Sequence, residues 1–139
     1  MAVVRSAMLC DFAQIREGLL FISSGGITRV GILEVGAPVQ FFVAGQVEFG
    51  PDELGMQHDL EFKVVPVATA RPVWAANVAI QTSPQAEGLF PGEHTQIPYA
   101  LGVGPFESTE IGPHDVRVTI NNAETELLTF YVVQMGMGT

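Results

Sequence analysis

Apolar and polar residues alternate with period two along most of this chain. Over 38–49, Val39, Phe41, Val43, Val47 and Phe49 fall on one face, with Gln40, Gln46 and Glu48 on the other. Leu60, Phe62 and Val64 alternate with Asp59, Glu61 and Lys63. Trp74, Ala76, Val78 and Ile80 alternate with Ala75, Asn77, Ala79 and Gln81, and Val116, Val118 and Ile120 with Asp115, Arg117, Thr119 and Asn121. Successive strand side chains point to opposite faces, so each run predicts a strand with one buried face.

Turn formers separate these runs: Gly25-Gly26, Gly50-Pro51-Asp52, Ser83-Pro84, Pro91-Gly92, Gly112-Pro113 and Asn121-Asn122. Strands are expected over 38–49, 59–64, 74–81 and 115–120. Two more, over 2–12 and 18–23, should join near Arg16-Glu17-Gly18, with a short third over 27–33. Helix signals are confined to 51–57, where Pro51, Asp52 and Glu53 suit a first turn. The stretches 83–96 and 104–114 read as loops.

The run 125–134 is different, because Leu127, Leu128, Phe130, Tyr131, Val132 and Val133 are apolar on both faces. Such a strand needs cover on both sides, from a loop, a helix or a partner chain. Short strands at this spacing predict an antiparallel β-sandwich.

At 139 residues the chain fits one domain, 1–139, able to bury roughly two-thirds of its unfolded surface. Hydrophobic residues make up 47% and charged residues 15%, the reverse of a disordered composition. Acidic residues outnumber basic ones 15 to 6, for a net charge of −9. The basic residues are scattered, so no cluster exists to track a phosphate backbone or dock on an anionic bilayer. Nucleic-acid and membrane partners are therefore not expected. Cys10 is the only cysteine, which excludes an internal disulfide and suits a reducing compartment. Asp11 interrupts the first apolar run before a signal region is complete, and a cytoplasmic protein is expected.

Candidate chemistry is sparse. His58, His94 and His114 have no compact metal-ligand spacing, and each neighbours a turn signal, so surface or strand-end positions are expected. Cys10 beside Asp11 lacks the electropositive setting of a reactive thiol and reads as a small buried strand residue. Asp11 reads as a structural polar residue at the end of the first strand, accepting N–H groups from a following turn. Neither Gly25-Gly26 nor Gly102-Val103-Gly104 matches a phosphate loop. No cofactor or metal is expected. Phe42 on a polar face, and Phe90 and Phe106 in loops, are candidate contact residues, as are Leu127, Tyr131 and Val133 of the closing strand.

The ends carry a resemblance. At the front stand Met8-Leu9-Cys10-Asp11-Phe12-Ala13, Gly18-Leu19-Leu20-Phe21-Ile22 and Gly25-Gly26; at the back, Gly112-Pro-His-Asp-Val-Arg-Val-Thr-Ile-Asn-Asn122 and Leu128-Thr-Phe-Tyr-Val-Val133. Together these resemble a family of short, mainly actinobacterial proteins of unknown function. The closing hairpin is also similar to that of immunoglobulin-like modules, with Gly112-Pro113-His114 in place of their Gly-x-Tyr. The resemblance implies an all-β, immunoglobulin-like sandwich of about seven to nine strands, and lends no activity.

The expected function is a non-catalytic binding or assembly module that contacts itself, as a homodimer, or another protein. The alternative is a small-ligand binder with an apolar pocket between the sheets or under 83–96. An enzyme of unknown class ranks third. It would need Asp11, Asp59, His58, His94 or His114 to converge in one cleft.

Overall fold

The computed structural model describes residues 2–82, 89–107 and 109–135. Among these residues the predicted alternation emerges as nine strands: β1 (Val3–Arg16), β2 (Leu19–Gly25), β3 (Arg29–Ile32), β4 (Pro38–Phe49), β5 (Gln57–Pro66), β6 (Trp74–Gln81), β7 (Thr95–Glu107), β8 (Gly112–Ile120) and β9 (Ala123–Gln134). They form two sheets, β2-β1-β4-β7 and β3-β9-β8-β5-β6. All neighbours are antiparallel except β3 and β9, which run parallel. The helix expected over 51–57 shrinks to one 3-10 turn, Pro51–Glu53, in which Glu53 Oε1 accepts the Gly50 N–H at 2.8 Å.

The inward faces are the ones the alternation predicts. Val39, Phe41, Val43, Val47 and Phe49 of β4 meet Leu60, Phe62 and Val64 of β5, Val116, Val118 and Ile120 of β8, and Phe130 and Val132 of β9. Phe41 packs edge-on against Phe106 and Phe130, with ring centroids 6.4 and 5.1 Å away. Burying one such side chain contributes roughly 1.5–3 kcal/mol, so this cluster dominates the fold's stability.

One crossing holds the first sheet together. The β1–β4 register shifts between Val4, opposite Val47, and Ser6, opposite Gln46, a bulge that leaves Arg5 without a strand partner. Ser6 Oγ accepts the Gln46 N–H at 3.1 Å. From β7, Tyr99 reaches over Gly45 of β4 and donates its hydroxyl to the Ser6 carbonyl of β1 at 2.9 Å. Only a residue without Cβ leaves room for that path, because a Cβ at 45 would sit 2.6 Å from Tyr99 Oη.

Several expectations are corrected. Phe106 is no loop contact residue: β7 continues to Glu107, and Phe106 is a core side chain, 6% exposed. The stretch 104–114 is therefore mostly strand. Gly104-Pro105 looks like a strand breaker, but β7 is an edge strand, where a missing N–H is tolerated. Asp11 does not end the first strand. It is exposed in mid-β1, with five more strand residues after it and no turn to cap. His58 and His114 are buried, not at the surface. The His114 ring stacks on Phe130 and its Nδ1 lies 3.0 Å from the Gly112 carbonyl. The expected loop 83–96 falls partly on 83–88, outside the described residues; β7 already begins at Thr95.

Candidate functional site

The hairpin β1–β2 is built by its turn. Glu17 (φ 53°) and Gly18 (φ 75°) both adopt left-handed conformations, the two-residue turn whose twist matches paired strands. Arg16 pairs with Leu19, Gln14 with Phe21 and Phe12 with Ser23. Beyond Cys10, β1 has left β4, so the hairpin projects past the sheet. Its inner side chains turn back onto the sheet's outer face, where Ala13 and Leu20 join Cys10, Phe42, Ala44 and Ala100 in a second apolar cluster. Phe42, expected to stand out from a polar face, is thus half-buried, its ring 5.1 Å from Phe12.

The remainder of the hairpin is apolar and uncovered. Met8, Phe12, Ile15, Leu19, Phe21 and Ile22 are all large and at least 40% exposed, Leu19 reaching 64%. Strand β2 (Leu-Leu-Phe-Ile-Ser-Ser-Gly) pairs with β1 alone, so every second N–H and C=O along its other side is unpaired among the described residues. An uncharged, apolar, open edge strand is the arrangement that soluble proteins usually avoid, because it templates pairing with another chain.

Charge is distributed to match. Of the six basic residues, three (Arg5, Arg16, Arg29) precede Glu34, against only Asp11 and Glu17; Glu34 and twelve more of the fifteen acidic residues come after them. The hairpin itself, with Arg5, Asp11 and Arg16 on β1 and Glu17 in the turn, is formally neutral, whereas the whole chain carries −9. Arg16 itself lies over the Phe21 ring, its Cζ 6.0 Å from the centroid.

The other predicted contact residues lie apart from this surface. Leu127 and Tyr131 point outward from β9, about half-exposed, and Val133 is half-buried. Only one face of the closing strand is covered: Phe130 and Val132 enter the core and β3 pairs with its free edge. The face with Leu127 and Tyr131 stays half-exposed, so the expected cover on both sides is not found among the described residues. Phe90 is 78% exposed in the segment before β7. Sequence reasoning missed the hairpin as a surface, although Leu19, Leu20, Phe21 and Ile22 carry the same two-faced signal as the closing strand.

No acid–base constellation assembles from the candidate groups. His58 and His114 face the core at opposite ends of β5, at Ile80 and Pro66 respectively, some eight residues and roughly 25 Å apart. His58 Nε2 donates to the Glu53 carbonyl at 3.0 Å, and Asn121 Nδ2 donates to its Nδ1 at 2.9 Å. Asn121 is itself held in place, its Oδ1 accepting the Asp59 N–H at 3.0 Å. His94 pairs at the surface with Glu48, 3.3 Å away, whose carboxylate also takes Arg5 at 2.9 Å. The Arg5 hydrogen bond is the main reason the Glu48 carboxyl lies below the usual range. The Cys10 thiol is raised, by burial first and then by Asp11. Among the described residues no three His, Cys, Asp or Glu side chains gather as a metal site.

An apolar crevice does open between the sheets, lined by Met8, Leu9, Ile27 and Leu128. At about 230 Å³ it falls below the roughly 300–1,000 Å³ of ordinary small-molecule pockets.

The strand order defines the class of protein. β1-β4-β7 and β6-β5-β8-β9 reproduce the A-B-E and C′-C-F-G orders of the immunoglobulin sandwich. This is an immunoglobulin-like β-sandwich protein, and β2 is an edge strand added to that frame. Its family is DUF6941, a family of unknown function whose model matches residues 5–133; the chain belongs to it. No curated protein matches. Among solved structures, the chain is similar to an immunoglobulin-like protein from Pseudomonas aeruginosa, at 15% identity and TM-score 0.45, covering 96% of this chain and 97% of that one. It is also similar to a glycosyl hydrolase family 2 member from Bacteroides cellulosilyticus (13% identity, TM-score 0.40, 69% of this chain). A β-glucosidase from Listeria innocua matches at 15% identity and TM-score 0.42 over 76% of this chain. The chain spans only 13% and 15% of those two enzymes.

Proposed function

We propose that this protein is a non-catalytic contact module that binds protein through the β1–β2 hairpin. The observation that carries the reading is the coincidence of exposed apolar side chains with an open main-chain edge in β2. Strand addition uses both: main-chain bonds supply affinity and alternate side chains supply specificity. The main core is closed by β1, β4 and β7 on one side and β5, β8 and β9 on the other, so the apolar side chains of β2 answer no demand of it.

A photoreactive residue placed at Phe21, compared with one at Asn77 on the polar face of the other sheet, tests this. Cross-linking in cells should give discrete protein adducts from position 21 and none from position 77. Absence of protein adducts at 21, or the same adducts from both positions, overturns the reading.

A further inference from the structure

We infer that the occupant of the β2 edge is a second copy of this chain, paired antiparallel across a two-fold axis. The inference rests on the contact reading above and adds the identity of the partner.

Electrostatics select the copy. Each molecule carries −9, so two copies meeting at random surfaces repel. Screening cuts such repulsion off beyond a Debye length of about 8 Å at physiological salt, so only charges near the contact decide. Leu19–Gly25 contains no ionisable group. Any antiparallel pairing of two such strands sets apolar or serine side chains against one another, and no like charges meet. Within the hairpin, Asp11 and Glu17 are balanced by Arg5 and Arg16. A partner strand rich in Lys or Arg would find nothing here to pair with; a neutral apolar strand fits, and the chain itself supplies one.

Geometry agrees. Antiparallel pairing of an edge strand with its own copy is isologous and closes after two subunits, which abolishes the open edge instead of propagating it. The pairing would join two four-stranded sheets into one of eight, β7-β4-β1-β2 continuing into the copy. Phe12, Phe21, Leu19, Ile22, Ile15 and Met8 each offer about half of their surface. Leu19 and Phe21 on one face of β2 and Ile22 on the other flank the edge, so the pairing joins backbone and sets apolar side chains together on both faces of the merged sheet.

Sedimentation of the full chain over about 1–100 µM, a range that brackets moderate affinities, tests the inference. The wild type should sediment at twice its 14.9 kDa mass. Phe21→Lys should be monomeric, with an unchanged circular-dichroism spectrum because Phe21 is half-exposed. Phe90→Lys, away from the hairpin, should remain dimeric. Raising the salt from about 0.01 M, where the Debye length is about 30 Å and the acidic bodies still repel, to about 0.15 M should tighten the dimer several-fold, while the neutral strand loses nothing. A wild type that is monomeric throughout overturns the inference, as does a Phe21→Lys variant that still dimerises. If the wild type is monomeric and position 21 nevertheless cross-links to a different protein, the second copy is wrong and the contact reading survives.

Discussion

Replacing Gly45 by alanine should be among the most damaging single changes in the molecule, although it adds one methyl group. The new Cβ would overlap the Ser6 carbonyl oxygen and stand 2.6 Å from Tyr99 Oη and 2.7 Å from Ser6 C. Two of these three atoms are backbone, so relief requires β1 to part from β4 at the bulge. Overpacking of this kind costs about 1–3 kcal/mol. Displacing Tyr99 also breaks its hydrogen bond to Ser6 and strands a buried phenol, at about 1–3 kcal/mol. The sum, about 2–6 kcal/mol, is a large share of a typical stability of about 5–15 kcal/mol. At roughly 3–5 °C per kcal/mol for a domain of this size, melting should fall by about 6–30 °C. Calorimetry and urea titration measure it. Tyr99→Phe alone should cost about 1–2 kcal/mol. The double variant should cost at least about 1 kcal/mol less than the sum, because phenylalanine removes one of the atoms the methyl group strikes. A Gly45→Ala melting point within about 3 °C of wild type, or strict additivity with Tyr99→Phe, refutes the reasoning.

Two further outcomes follow from buried groups. Burial, then Glu126, raises the Tyr99 phenol above its usual range. The stability that comes from keeping it neutral is whole below the unfolded value near 10 and is lost as pH climbs toward the folded value, at up to about 1.4 kcal/mol per pH unit. Denaturation curves between about pH 9 and 11 should show this decline, and Tyr99→Phe should flatten it. Cys10 has no exposed surface, and burial raises its thiol. It should resist thiol reagents in the native protein and react only on unfolding; rapid native labelling at neutral pH would contradict the placement.

Period-two alternation made most of the fold legible before any coordinates. Pro38–Phe49 and Trp74–Gln81 match the expected limits, because in these strands one face must be apolar and the other need not be. The hairpin turn at Glu17-Gly18 was legible for a similar local reason, since glycine readily takes a left-handed conformation. Misreadings came where a residue's role depends on a distant partner. His58 is satisfied inside the core by Asn121, 63 positions away, and no local pattern announces that bond. Phe106 sits in a weakly patterned stretch just after Gly104-Pro105, and it lies in a strand because β7 is at an edge, where a proline is tolerated.

The candidate surface turns on the same distinction. Leu19–Ile22 and Leu127–Val133 are both apolar on two faces, and their side chains alone do not rank them. Strand order does. β9 is flanked by β8 and β3, whereas β2 has β1 on one side and an open edge on the other. Residue pattern is a local property, set by which faces must leave water. Neighbourhood in a sheet is a global one, set by how nine strands close around a single core. The chain's pattern thus established an all-β sandwich, and its assembly assigned the unpaired apolar edge to the opening hairpin.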